Sequence, residues 1–409
     1  MALALLLAVL APAGAAHAAP GDDQWGFRGL VRDGERKPVT GAAVAVESDG
    51  EVVGTDVTDA RGRWEILGLA GPGTYTVVVK TGGKTYEVEK ELVRSGTTLP
   101  VQNLVMSTSD APAVQASLGD KLAQRAVSGL NLGLLIAIAA IGLSLVFGTS
   151  RFTNFAHGEN VTFGGIMGYV FASLAHLPLL LAAAAATVAG AAFGYLQDLG
   201  FWRPLRRKGV SLVTLMIASI GAALALRSLF QFLYGNGTRS LTREDWGTVR
   251  LGPVVMPATS YVAMGISVAV LVAVGVWLKR GRIGKATRAV ANNPALAGAS
   301  GIDVDRVTRI VWVLSGGLAA LSGVLLGVFN QVSYDMGFNL LLLMFAAVIL
   351  GGLGTAFGTL AGAIVVGLCT EILVLWIPAD MKYVGGLAVL VAVLLVRPQG
   401  LFGRQARIG

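Results

Sequence analysis

Cysteine, histidine and charge are all scarce in this chain, and each shortage removes a class of function. The single Cys369, set in an apolar run, can form no disulfide within one chain and no cysteine-based metal site. Three histidines in 409 residues, one of them His17 near the start, argue against metal catalysis. No Gly-x-x-x-x-Gly-Lys-Ser/Thr phosphate loop occurs. Gly281-Arg-Ile-Gly-Lys-Ala286 has a Gly-Lys pair at the wrong spacing and no hydroxyl after the lysine, so this chain alone should not hydrolyse ATP. Only 14% of residues are charged, against 54% hydrophobic and 55 glycines, a balance that fits membrane spans in close contact. The net charge of +8 does not signal nucleic acid, because the basic residues cluster beside apolar spans.

The first hundred residues differ from the rest. Residues 1–19 read as a secretory signal, with an apolar stretch followed by small residues ending in Ala16-His17-Ala18. Its positive end is reduced to the α-amino group, so an uncleaved anchor is the alternative. Residues 24–106 read as a small exported all-β sandwich. Short runs rich in Val, Thr and aromatics (25–31, 42–47, 52–57, 63–67, 74–80, 85–92 and 98–105) alternate with turn signals such as Asp33-Gly34, Asp49-Gly50 and Gly82-Gly83. Pro38-Val-Thr-Gly-Ala-Ala-Val-Ala-Val46, Thr58-Asp-Ala-Arg-Gly-Arg-Trp64 and Pro72-Gly-Thr-Tyr-Thr-Val77 together resemble the carboxypeptidase regulatory-like domain, a transthyretin-type fold. That resemblance implies a structural or docking module. Residues 107–120, rich in Ser, Ala, Asp and Pro, read as a linker.

From residue 126 onward the chain reads as a polytopic α-helical membrane protein of about nine transmembrane or re-entrant helices. They are expected at 126–147, 161–175, 177–196, 211–233, 262–278, 310–329, 340–356, 360–376 and 384–396. Several are short, as expected of discontinuous helices. Placing the 281–307 loop inside puts fifteen Lys and Arg on the cytoplasmic side against six outside. The same count puts the β domain outside and the C-terminus inside, in agreement with the signal reading.

The 281–307 stretch has internal shape. Asn293 before Pro294 fits an N-cap and first-turn proline, and Gly301 fits a helix stop, so a short helix is expected over 294–300. Three other features stand out. Arg151, Asn154, His157 and Glu159 bring polarity between two apolar runs, as a gate near the cytoplasmic mouth or as an interfacial turn. Gly351, Gly352, Gly354 and Gly358 mark either a broken helix facing a solute or a tight turn between spans. Arg227 and Glu371 lie within apolar runs, each near enough to a span end to reach the interface.

Four segments, in order, resemble the permease subunits of ATP-binding-cassette importers of the branched-chain amino-acid class. They are Asn154-Phe-Ala-His-Gly-Glu159, Arg288-Ala-Val-Ala-Asn-Asn-Pro-Ala-Leu-Ala-Gly-Ala-Ser-Gly-Ile-Asp303, Leu350-Gly-Gly-Leu-Gly-Thr-Ala-Phe-Gly358 and Arg397-Pro-Gln-Gly-Leu-Phe-Gly-Arg404. The resemblance covers about 126–404. It implies a permease domain in the cytoplasmic membrane, with Asn293, Pro294, Ala295, Leu296, Ala297 and Gly301 forming the loop that couples to an ATPase. It also implies partners: ATPase subunits that use the ATP, a second permease chain and an extracytoplasmic solute-binding protein. No cofactor is expected on this chain. Candidate substrate-pathway residues are Asn154, His157, Glu159, Gly352, Gly354 and Glu371. A urea or short-amide permease is the alternative within the class, and an ion-coupled secondary transporter the alternative outside it.

Overall fold

The computed structural model describes residues 25–377 apart from 34–36, 49, 72, 93–100, 108–116 and 242–245, with scattered positions as far as 395. The signal reading, most of the linker, most of the last expected span and the Arg397–Arg404 motif lie outside the described residues. The chain divides into a β unit within Ala11–Gln115 and a helical unit from Ala116 onward.

The β unit has seven strands: β1 (Trp25–Arg32), β2 (Ala43–Ser48), β3 (Glu51–Val57), β4 (Arg63–Leu69), β5 (Gly73–Thr81), β6 (Lys84–Leu92) and β7 (Val101–Ser107). They form two sheets, ordered β4-β1-β7 and β3-β2-β5-β6. The two-residue period decides which side chains go inside. Val44 and Val46 on β2, and Tyr75, Val77 and Val79 on β5, meet Phe27, Trp64 and Ile66 of the other sheet in one apolar cluster. The Thr58 hydroxyl, in the loop between β3 and β4, accepts from the Ala42 N–H and donates to the Val39 carbonyl, tying down the connection between β1 and β2.

The helical unit contains α1 (Leu118–Ser150), α2 (His157–Tyr169), α3 (Leu179–Arg207), α4 (Leu212–Tyr234), α5 (Ala258–Arg280), α6 (Arg282–Asn292), α7 (Pro294–Ala299), α8 (Val304–Asn330), α9 (Met336–Gly351) and α10 (Ala356–Leu373). A hairpin of β8 (Thr248–Leu251) and β9 (Val254–Pro257) precedes α5. Among the described residues six helices, α1, α3, α4, α5, α8 and α10, are long and apolar enough to cross a membrane, and α2 and α9 are shorter.

These bounds differ from the hydropathy reading in a regular way. The α1 helix starts at Leu118 because Ser117 and Asp120 form a reciprocal capping box, inside the stretch read as linker. Helices α5 and α8 extend past both limits of the apolar run, since polar ends keep helical hydrogen bonds that hydropathy does not register. Conversely, α9 stops at Gly351 although the apolar run continues, because Gly352 and Gly354 take φ of +93° and +79° and turn the chain. The glycine-rich segment is thus a turn between two helices.

Burial sorts the helices. In their most apolar windows α1 is 89% and α8 83% buried, against 17% for α4 and 28% for α5. Helices α1 and α8 are therefore the centre, and α4 and α5 leave apolar faces exposed. Small residues let the centre close. A Cβ on Gly316 of α8 would lie 2.4 Å from the Gly190 carbonyl oxygen of α3. Replacing Gly316 by Val should therefore cost roughly 3 kcal/mol or more, as overpacking against backbone that no rotamer relieves. Thermal unfolding in detergent should show that loss, while Gly221→Ala in α4, where nothing lies within 4 Å, leaves the midpoint unchanged or higher.

Candidate functional site

The four polar features noted in the sequence fall at three places in the helical unit. The first is the end that carries α6 and α7. Gly281 breaks the chain after α5, and α6 then presents Gly284, Thr287 and Val290 inward, with Arg282, Lys285 and Asn292 on exposed positions. The next helix is as short as its caps require. The Asn293 side chain accepts from the Leu296 N–H at 3.0 Å, and Pro294 occupies the first turn. At the other end the Gly301 N–H bonds the Gly298 carbonyl and the Ile302 N–H bonds the Ala297 carbonyl, with Gly301 at φ +83°. That pair of bonds is a Schellman stop, and Ile302 packs beside Ala297 as the motif requires.

Of the residues expected to couple, Ala297 faces inward in a satellite cluster with Val290 and Val307, which holds α6 and α7 to the start of α8. Leu296 points outward at 65% exposure, with Ala295 exposed beside it. Ala297 thus anchors the helix, while Leu296 meets no packing partner among the described residues. Nearby, Arg203 and Arg207 from the end of α3 both reach Asp305 of α8, at 3.5 and 3.0 Å, and Arg206 pairs with buried Asp198. The sequence reading foresaw one short helix here and missed α6. Its signal was present, as three inward positions spaced three apart with basic residues between them.

The second place is interior. The chain leaves α1 at Arg151, and the next helix, α2, begins only at His157. The His157 Nε2 lies 3.0 Å from the carbonyl oxygen of Ala139, twelve residues before Arg151 and so about 18 Å back along α1. The segment between therefore re-enters the bundle. With the π-helical turn Val170–Leu174 that continues it, α2 runs about 27 Å, and its first residue lies beside Ala139, inside the bundle. Extended backbone inside a bundle must find its own partners. The Ala156 N–H bonds the Asn154 side-chain oxygen at 3.1 Å, and the Phe155 N–H bonds the Ser219 hydroxyl of α4 at 3.0 Å. Asn154, His157 and Glu159 are all buried. Glu159 is paired with Arg227 of α4, Nε to Oε1 at 3.4 Å, and the guanidinium of Arg227 sits 3.5 Å over the ring of Phe338. Sequence alone does not reveal that pairing, because the partners are 68 positions apart.

The remaining candidates divide between the α6–α7 end and a third place. Gly352 and Gly354 form the turn between α9 and α10, and Gly354 backs onto Gly148 at the end of α1. A cavity of about 280 Å³ is lined there by Ser144, Gly148, Thr287, Ala291, Gly354 and Phe357, among others. Glu371 lies at the opposite end of α10, where Arg125 of α1 binds it at 3.1 Å. It is therefore far along its helix from Gly354 and joins neither of the other groups.

Comparison with known proteins agrees with the motifs. Residues 125–394 match the profile described as branched-chain amino acid transport system / permease component, and residues 26–107 match the carboxypeptidase regulatory-like domain. Similar proteins include the high-affinity branched-chain amino acid transport system permease protein LivH of Salmonella typhimurium, 28% identical over 69% of this chain and 95% of its own. LivH of Escherichia coli (strain K12) is 29% identical over the same shares. BraD of Pseudomonas aeruginosa, carrying the same description, is 27% identical over 69% of this chain and 95% of its own.

The interior pair yields a test of stability. Removing either partner leaves a charge without compensation, at about 3–5 kcal/mol. Arg227→Gln and Glu159→Gln alone should each lower the unfolding midpoint in detergent, and the double variant should recover more than half of the larger loss.

Proposed function

The chain belongs to the family of branched-chain amino acid transport permease components, and on that premise we propose how its parts divide the work of import. It is a transport subunit, not an enzyme, and it serves an ATP-binding-cassette importer for branched-chain amino acids. The observation that carries the mechanistic reading is the exposed, doubly capped helix α7 standing on its own satellite core.

The α6–α7 end faces the cytoplasm, as the basic residues on the adjoining segments favour. The β domain, a two-layer sandwich, and the connecting linker belong outside, after a signal segment. An ATPase subunit takes α7 into a groove, with Leu296 and Ala295 as contacts and Asn293, Pro294 and Gly301 fixing the helix that presents them. Ala297 works from within, tying α7 to α8. A second permease chain and an external solute-binding protein complete the assembly. Asn154, His157 and Glu159 line the pathway, with Glu159 held by Arg227 in the half of α4 away from the cytoplasm. Gly352 and Gly354 act at the turn between α9 and α10, where Gly354 faces Gly148. Glu371, neutralised by Arg125 near the outer end of its helix, holds structure there.

The test uses the exposed leucine, whose replacement disturbs no packing in this chain. Leu296→Asp should lower ATPase co-purification and ATP-driven uptake of radiolabelled leucine into vesicles about thirtyfold, the loss of one anchor worth about 2 kcal/mol. Uptake by wild-type vesicles driven by an ion gradient without ATP would overturn the reading.

A further inference from the structure

Arg151 joins two features that the sequence shows 140 positions apart. Its guanidinium Nη2 donates to the Ala291 carbonyl at 2.7 Å and to the Asn292 carbonyl at 2.9 Å. Those are the last two carbonyls of α6. The last carbonyls of a helix have no partners within it, and a cation there also meets the negative end of the helix dipole. Asn293, the next residue, is the N-cap of α7. Arg151 therefore grips the joint between the two helices.

The grip has a backbone signature. Arg151 closes α1 at φ +61° and ψ +8°, its own N–H bonded to the Phe147 carbonyl. That left-handed conformation favours glycine or asparagine. Arginine uses it here to turn its side chain toward α6 while the chain reverses into the bundle. Apolar contact between these helices is thin, with Gly148 of α1 facing Ala291 of α6 and a 280 Å³ cavity lined by both helices and Gly354 beside them.

On its other side Arg151 leads directly into the re-entrant segment. Phe152, next in the chain, is buried against the rings of Trp202 and Trp312, at 5.1 and 6.5 Å. Phe155 meets Phe345 of α9 at 5.1 Å and its N–H bonds Ser219 of α4. His157 reaches Ala139 of α1. A displacement of the α6–α7 joint is thus delivered, through one side chain and six residues of backbone, to contacts with α1, α3, α4, α8 and α9.

We infer that Arg151 is a positioning residue that transmits movement of α6–α7 to the Asn154–Glu159 segment, so that its loss separates ATP hydrolysis from solute movement. The inference rests on the importer reading above.

The experiment uses the full chain assembled with its ATPase and reconstituted in proteoliposomes, and reads leucine imported per ATP hydrolysed. Arg151→Ala should lower that ratio at least tenfold, and Arg151→Lys, whose ammonium can still meet both carbonyls, should stay within threefold of wild type. If Arg151→Ala does not accumulate, Arg151→Gln takes its place with the same threshold. A ratio within twofold of wild type, or equal loss in the Lys variant, overturns the inference. Failure of the importer reading would show separately, as a wild-type assembly with no ATP-dependent import, and the inference falls with it.

Discussion

The approach of α8 to its neighbours is the constraint on which the rest of the helical unit depends. Lipid tails are as apolar as leucine, so no hydrophobic force draws two helices together once both are in the bilayer. What remains is dispersion, which falls away within an ångström of gap. Small residues along α8 close that gap. Gly316 meets the backbone of Gly190 and Gly194 on α3, Gly164 of α2 meets Ala320, and Gly323 meets Val161 of α2. One turn from Gly316, Trp312 stacks on Trp202 at 5.5 Å, with Phe152 against both. The first residue of the re-entrant segment is therefore held where α3 and α8 pack closely.

That arrangement explains how an irregular stretch survives inside. Every backbone group removed from a helix must be repaid by a neighbour. Asn154 serves as a local cap, Ser219 of α4 as an acceptor, and Ala139 of α1 as the partner of His157. Glu159 follows the same logic with charge, since its carboxylate is buried but meets Arg227, whose own face is covered by Phe338. Polarity in this region is thus supported from α1, α4 and α9 at once. Moving the segment means exchanging those partners together, which suits a two-position element better than a floppy loop.

What the sequence made legible is what is decided locally. The seven strands follow from alternation and turn residues, and the ends of α7 follow from Asn293, Pro294 and Gly301, because a cap is a contact between residues three or four apart. Legibility failed where the partner is distant. Nothing near Arg227 announces Glu159, nothing near Glu371 announces Arg125, and Arg151 gives no sign of Ala291. Hydropathy also misplaced helix ends. It clipped α5 and α8, whose polar ends remain helical, and it overran α9, where apolar glycines turn the chain. The missed α6 is different, for its period was readable but masked by its basic composition.

The three separate places of the polar candidates bear on where the unit can deform. Along α10, Gly367 lies against the Gly133 backbone of α1, where a Cβ would come within 2.4 Å, so these two helices lock without side chains to repack. The Arg125–Glu371 pair fastens the same two helices further on. Sliding there would open voids or force clashes, and close-packed backbones permit neither cheaply. Positive-φ residues lie at both ends, His176, Gly235 and Gln331 at one and Arg151, Gly352 and Gly354 at the other, and the 280 Å³ cavity lined by Gly354 is at the second. A hinge is a few residues at element ends that absorb dihedral change. Both ends meet that criterion, but the cavity leaves room for deformation at the end carrying α7, where the locked pair of α1 and α10 supplies the fixed frame beside α6.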